Sequence, residues 1–253
     1  MTWPIGRHGI LVALALAIAP STAYAGPPFV TDDPEPTPYG SFEVYTFAEG
    51  VIAEGRMSDS TLGLEVDYGV APNLQIAVSL PVGLSAISHA SVHFGVFEVG
   101  LGVKYRFIEE QEDGWRPQVS VYPSVQTTIS NPEKATTDSA THTFLPLWAQ
   151  KSFGPWTTFG GGGYRINPGV DGRNSWFAGW AVLRRIDSRL QVGAEIYRET
   201  ANARGADVIA GMNVAAIYDL NETFHVVASA GPATGAQNEA PPISYFLALK
   251  WTR

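Results

Sequence analysis

The sequence predicts an all-β chain: a transmembrane up-and-down antiparallel β-barrel of about 12 strands behind a cleaved signal peptide. Three observations carry that prediction. Apolar and polar residues alternate at period two in segment after segment, while the i, i+3, i+4, i+7 spacing of an amphipathic helix is nearly absent. The polar faces of these segments hold charges and glycines, as a wet interior requires and a dry core does not. The connections between segments alternate between short and long, as in membrane barrels with short periplasmic turns and longer extracellular loops.

The 253 residues suffice for one all-β domain. MTWPIGRHG supplies Arg7 and His8, ILVALALAIAP is apolar, and STAYA ends in Ala23-Tyr24-Ala25. This order is that of a secretory signal cut after Ala25, and the apolar run falls short of the roughly 20 residues of a membrane-spanning helix. The chain therefore divides into a signal peptide (1–25), a proline-rich periplasmic N-terminal segment (26–40) and an outer-membrane barrel (41–253). There is no cysteine, which removes disulfides, thiolate metal sites and Cys nucleophiles. The formal charge of −8 becomes −9 once Arg7 leaves with the leader, which argues against nucleic acid as a partner.

Twelve strands are expected, at 41–49, 60–69, 74–82, 94–107, 115–127, 141–151, 156–166, 174–185, 189–199, 207–218, 223–231 and 243–252, an even number as bacterial single-chain barrels use. In TLGLEVDY, Leu62, Leu64, Val66 and Tyr68 oppose Thr61, Gly63, Glu65 and Asp67. In LQIAVSLPV, Leu74, Ile76, Val78 and Leu80 oppose Gln75, Ala77 and Ser79. In FEVGLGVKYRF, Phe97, Val99, Leu101, Val103, Tyr105 and Phe107 oppose Glu98, Gly100, Gly102, Lys104 and Arg106. In LQVGAEIY, Leu190, Val192, Ala194 and Ile196 oppose Gln191, Gly193 and Glu195. In ISYFLALKW, Ile243, Tyr245, Leu247, Leu249 and Trp251 oppose Ser244, Phe246, Ala248 and Lys250.

Short connections are VAPN, EEQEDG, FGP, IDS and DLNE; long ones fall near 50–59, 83–93, 128–140, 167–173, 200–206 and 232–242. Beside the short turns sit Tyr68, Phe107, Trp115, Phe153, Trp156, Tyr218, Phe224 and Trp251, which suits an aromatic girdle at one membrane interface. Phe94, Tyr164, Trp176, Tyr197 and Tyr245 lie near the long loops and suit the opposite belt.

FGPWTTFGGGGYRINPG holds four consecutive glycines, Gly160 to Gly163. No Lys-Ser/Thr follows them, Arg165 stands where the third glycine of a dinucleotide fingerprint would fall, and Asn167-Pro168-Gly169 marks a turn. Glycine inside a strand instead marks a bend, a bulge or a close approach, and a neighbouring aromatic can cover it. PPFVTDDPEP, LEVDYGVAPNLQIAVSLPV, GLGVKYRFIEE, WRPQVSVYP, FLPLWAQKSFGPWTTFGGGGYRINPG and WFAGW together resemble the transporter-like outer-membrane proteins linked to the MetA pathway of phenol degradation. The resemblance covers nearly the whole mature chain. It implies an outer-membrane barrel that takes up aromatic or other apolar compounds, and it brings no catalytic residues to carry over. Such barrels usually finish on an aromatic residue read by the assembly machinery, whereas Trp251 is followed here by Thr252 and Arg253.

Other constellations are weaker. His89 and His93 are four apart, about 13 Å in an extended chain, too far to share a metal without a turn. Asp32-Asp33 stands beside Pro34, Pro36 and Pro38, which favour an extended polyproline-like segment over a cation site; that segment is either tucked into the barrel mouth or a loose tail. Ser229 with His225, or Ser139 with His142, would be needed for a lipid hydrolase, but no G-x-S-x-G elbow is present. The expected pore lining is Glu65, Asp67, Gln75, Glu98, Lys104, Arg106, Gln118, Gln150, Gln191, Glu195 and Lys250. No catalytic, cofactor or metal site is expected. The leading function is diffusion or facilitated uptake of small molecules across the outer membrane of a Gram-negative cell, gated by residues 26–40. Expected partners are outer-membrane lipid, lipopolysaccharide and the barrel assembly machinery. A closed structural, adhesion or assembly barrel is the alternative, a lipid hydrolase the third, and a soluble secreted β-protein the fallback.

Overall fold

The structure, a computed structural model, describes residues 28–53, 56–87, 91–129, 141–168, 172–234 and 241–253. The expected leader, His89 and Ser139 lie outside them, and His93 and Phe94 are placed only through their backbone, on a strand. Every regular element among the described residues is a strand: β1 (Phe42–Ala53), β2 (Arg56–Ala71), β3 (Leu74–Ile87), β4 (Ser91–Ile108), β5 (Gln118–Val121), β6 (Ser124–Thr128), β7 (His142–Phe153), β8 (Trp156–Ile166), β9 (Ser175–Arg185), β10 (Leu190–Glu199), β11 (Ile209–Asp219), β12 (Phe224–Pro232) and β13 (Ile243–Thr252).

Sequence neighbours pair antiparallel around the ring. β1 then pairs with β13, from Glu43↔Thr252 to Ile52↔Ile243, and this closes the barrel without an open edge. β5 and β6 share the same neighbours, β4 and β7, and form one broken stave, so the barrel has 12 staves. The break falls at Tyr122-Pro123, because proline has no N–H for the ladder. Hydrogen bonds still cross the break on both sides: Val103 N donates to Pro123 O at 3.0 Å, and Tyr122 N donates to Pro146 O at 3.3 Å.

Three expectations need correction or refinement. The stave expected from residue 115 starts at Gln118, since Pro117 cannot donate; Trp115 is left in a turn and is 87% exposed. The long connections expected at 50–59 and 83–93 are mostly strand, because pairing continues to Ala53↔Arg56 and Ile87↔Ser91. Two short turns use left-handed residues, Asn73 at φ 64° and Gly154 at φ 57°, which Asn tolerates and Gly adopts freely.

Burial separates the two faces of the wall. Leu62, Leu64, Ile76, Leu80, Leu101, Val103, Leu145, Leu147, Leu247 and Leu249 are exposed on the outside, while Asp67, Gln75, Lys104, Gln150, Glu195 and Lys250 are buried within. An exposed band of large apolar side chains around a ring with a charged interior is a surface made for lipid. The chain is thus a membrane-spanning β-barrel.

Candidate functional site: the lumen and its N-terminal segment

All the residues expected to line the lumen lie on the inward parity of their strands. Gln75, Lys104, Gln118, Gln150, Gln191, Glu195 and Lys250 are buried, as is Asp67; Glu65, Glu98 and Arg106 are partly so. What fills the space between them is residues 28–38. The segment enters at the end where the short turns lie, beside Gly69. A Cβ on Gly69 would sit 2.1 Å from the Pro38 carbonyl oxygen, so glycine lets the chain cross the wall there. Tyr39↔Gly69 bridges it to the wall through the backbone; beyond that point the segment is held by side chains.

Those side chains come from opposite sides of the ring. On β3, Gln75 Oε1 accepts Thr37 N at 2.7 Å. On β10, the carboxylate of Glu195 accepts Val30 N and Thr31 N, both at 2.9 Å, and Asn213 Nδ2 at 2.7 Å. On β4, Lys104 Nζ meets Asp32 Oδ1 at 3.1 Å and Asp33 Oδ1 at 4.0 Å, and stands 4.9 Å from the centre of the Tyr122 ring. Arg106 reaches Glu35 at 4.0 Å and donates to Gln118 and Asn73. On β12, Ser229 Oγ donates to the Pro28 carbonyl.

The lumen wall is itself two-sided, and the segment matches it. Tyr45, Phe159, Ala181, Leu183, Ile217, Val227 and Ala248 form an apolar cluster, and Phe29 packs on it with its ring 6.0 Å from that of Phe159. The acidic residues Asp32, Asp33 and Glu35 turn to the basic residues of β4. Burial pushes the Asp33 carboxyl up to about 7, against the lowering pull of Lys104 and with the neighbouring charges of Asp32 and Glu35 adding to the rise. Burial also raises Glu35, opposed by Arg106.

The four glycines are wall. Gly161 and Gly163 face inward, and a Cβ on Gly161 would stand 2.0 Å from the Leu147 carbonyl oxygen and 3.0 Å from the Trp148 ring. Gly160 faces outward under the indole of Trp180, whose Nε1 donates to Thr158 Oγ1 at 2.8 Å. The room left inside holds an aromatic group absent from the expected lining. Phe144, Trp148 and Phe177 meet with centroids 6.1–6.3 Å apart, and Arg165 stacks 4.1 Å above Phe144 and lies 3.3 Å from Glu199.

Tyr197 is corrected from the outer belt to the interior. It stacks on Phe177, over Gly211, where a Cβ would lie 2.5 Å from its ring. Tyr164 and Trp176 do contact one another on the outer face, 4.9 Å apart. Of the short-turn aromatics, Phe107, Phe153, Trp156, Tyr218 and Phe224 are exposed outward, Tyr68 stacks on Phe42 at 4.4 Å, and Trp251 sits on the outward parity of β13. Ser229 and His225 are not brought together. Ser229 is spent on Pro28, and His225 bonds Asp219 at 2.6 Å and Thr252 at 3.2 Å. Among the described residues no group of three or more His, Asp or Glu could hold a metal ion.

No family model matches the chain, and neither does any curated protein. Solved structures do. A KdgM porin superposes with a TM-score of 0.57 at 7% identity, covering 83% of this chain and 98% of the porin. An outer membrane channel from Pseudomonas putida F1 gives 0.54 at 17% identity, covering 87% and 97%. The β domain of the Bordetella autotransporter BrkA gives 0.53 at 14%, covering 85% and 99%. At such identities the likeness is one of fold.

Proposed function

We propose that this barrel is an outer-membrane channel for small molecules, closed in this conformation by its own residues 28–38. One observation carries the reading: cavities lie on both sides of the segment within the barrel. Toward the short turns there is a vestibule of about 550 Å³ bordered by Glu43, Gln191, His225 and Lys250; toward the long loops there are chambers of about 260 and 250 Å³. A barrel built to stay closed would be filled by wall side chains, as small eight-stranded barrels are. Here the filling is a strap joined to the ring at one end. The porin and channel among the structural neighbours agree with a channel role, and the resemblance to the phenol-degradation family adds aromatic or apolar compounds as the permeant class. Within this reading, the inward polar residues named above are the pore lining, and the outward aromatics beside the short turns are the membrane girdle.

The test is single-channel conductance of the refolded mature chain in a planar bilayer, beside a form lacking residues 26–40, with folding verified by heat-modifiable gel mobility. Discrete steps that become larger or more frequent on truncation are expected. Silence from both folded forms would refute the channel and leave a closed structural barrel.

A further inference from the structure

We propose that the chamber of about 260 Å³ next to the docked segment, on the long-loop side, binds a small organic cation, an ammonium carrying a ring or short apolar body. This deepens the channel reading above by naming a ligand class. The chamber is bordered by three carboxylates, Glu49 and Glu65 with Glu98, and by three rings, Tyr45, Phe47 and Phe246. Among the described residues no lysine, arginine or histidine borders it. The lumenal cations closest in sequence and register are engaged elsewhere, Lys104 with Asp32, Arg106 with Glu35 and Lys250 with Glu43 at 2.7 Å.

Two features show a built recess rather than a chance group of acids. Phe47 and Phe246 stack with centroids 5.8 Å apart, and the ring of Phe47 lies flat along the wall only because Gly63, its register partner, has no Cβ; one there would sit 2.1 Å from Phe47 Cζ. Tyr45 donates its hydroxyl to Glu43 at 3.0 Å and its ring already carries the Lys250 ammonium, 5.2 Å from the centroid, so Phe47 and Phe246 are the rings left to a ligand. Glu98 accepts from Gln126, whereas the carboxylates of Glu49 and Glu65 make no hydrogen bond or ion pair with another described residue. Carboxylates attract any cation, but the faces of stacked rings reward one whose charge is spread over an apolar body. A hydrated metal ion would gain nothing from the rings. An anion finds no positive partner among the bordering residues, and a neutral aromatic leaves the carboxylates unanswered. The volume lies below the range of drug-sized pockets, which suits a ligand with a single ring.

Benzylammonium, benzyl alcohol and benzoate share one ring and differ in charge, so they are the probes. Each is titrated calorimetrically into the refolded mature chain in detergent at fixed ionic strength. Saturable binding of benzylammonium alone is expected. Glu49→Gln with Glu98→Gln should weaken it by about tenfold or more, and Phe246→Leu by about threefold or more. Equal binding of benzyl alcohol, any preference for benzoate, no binding at all, or an unchanged affinity in the folded Glu49→Gln/Glu98→Gln form would overturn the proposal. The titration needs no current: binding without conductance would remove the channel reading alone, and conductance without binding would remove this one alone.

Discussion

Replacing Glu195 by glutamine should unlatch the N-terminal segment while leaving the barrel intact. Glu195 is 2% exposed, and its two oxygens serve three donors, Val30 N, Thr31 N and Asn213 Nδ2. Glutamine has nearly the same shape but only one acceptor oxygen, and its NH₂ would face a donor. The change removes charge-assisted bonds worth roughly 1.5–3 kcal/mol and orphans a buried N–H at a cost of roughly 1–3 kcal/mol. A net loss of about 3 kcal/mol raises the undocked fraction roughly 150-fold. Amide hydrogen exchange reads this directly. Protection of Val30 and Thr31 should fall by about that factor, and so should protection of Thr37, which is held by the unmutated Gln75. Thr37 is the decisive position, because an undiminished protection there would show that the segment does not leave as a unit, and the gate would be wrong. Unchanged exchange in the strands, with unchanged heat-modifiable mobility, guards against a barrel that has loosened generally.

Other perturbations follow from the same geometry. Asp33 titrates at about 7 when docked against about 3.9 in a free chain, so docking is fully supported at pH below 4 and loses strength as pH rises through 7, by up to tenfold per unit in between; open probability should climb from pH 5.5 to 8.5, and Asp33→Asn should flatten that slope. Gly179→Val puts bulk where even a Cβ would stand 2.0 Å from Thr31 Oγ1, and should give the folded barrel the conductance of the truncated form; closure as in the parent would show that Thr31 does not have to lie against Gly179 for the segment to dock. Lys104→Glu with Arg106→Glu should shift reversal potentials toward cation preference under a salt gradient, and it should expel the acidic segment as well. Gly161→Ala should destabilise the barrel by about 1–3 kcal/mol through overpacking, visible as a lower unfolding temperature.

The wall was readable in the sequence because alternation at period two needs only neighbours. The stave at 156–166 and the one at 243–252 match their expected bounds, and the polar residues of TLGLEVDY and FEVGLGVKYRF turn inward as their parity required. Where both faces are apolar, the alternation carries no information. WFAGWAVL on β9 gives no sign that Phe177 looks into the lumen and Trp176 out, and FLPLW hides the inward Trp148 in the same way. A signal for Trp148 did exist, since Gln150 two residues on fixes the parity of β7. Tyr197 was placeable by the same rule from Glu195. The location of residues 28–38 was not legible, because it depends on Glu195, Ser229 and Gln75, which lie far apart in the chain and mean nothing together until the barrel closes.

The composition of the segment explains how it can be both buried and releasable. Pro28, Pro34, Pro36 and Pro38 have no N–H to leave unsatisfied, and their restricted φ lowers the entropy lost on docking. Asp33 N and Glu35 N are satisfied within the segment, by Asp32 Oδ1 at 2.8 Å and Asp33 Oδ1 at 2.7 Å. The wall in turn satisfies Val30, Thr31 and Thr37, through Glu195 and Gln75. A strand inserted at this place would hold the barrel shut with a full ladder, and undocking it would strand a row of donors. A proline strap tied at a few polar points, with Asp33 poised by burial near neutral pH, sits at a free energy that one proton or one lost carboxylate can shift. That balance is what a gate needs and what a permanent filling would have no reason to keep.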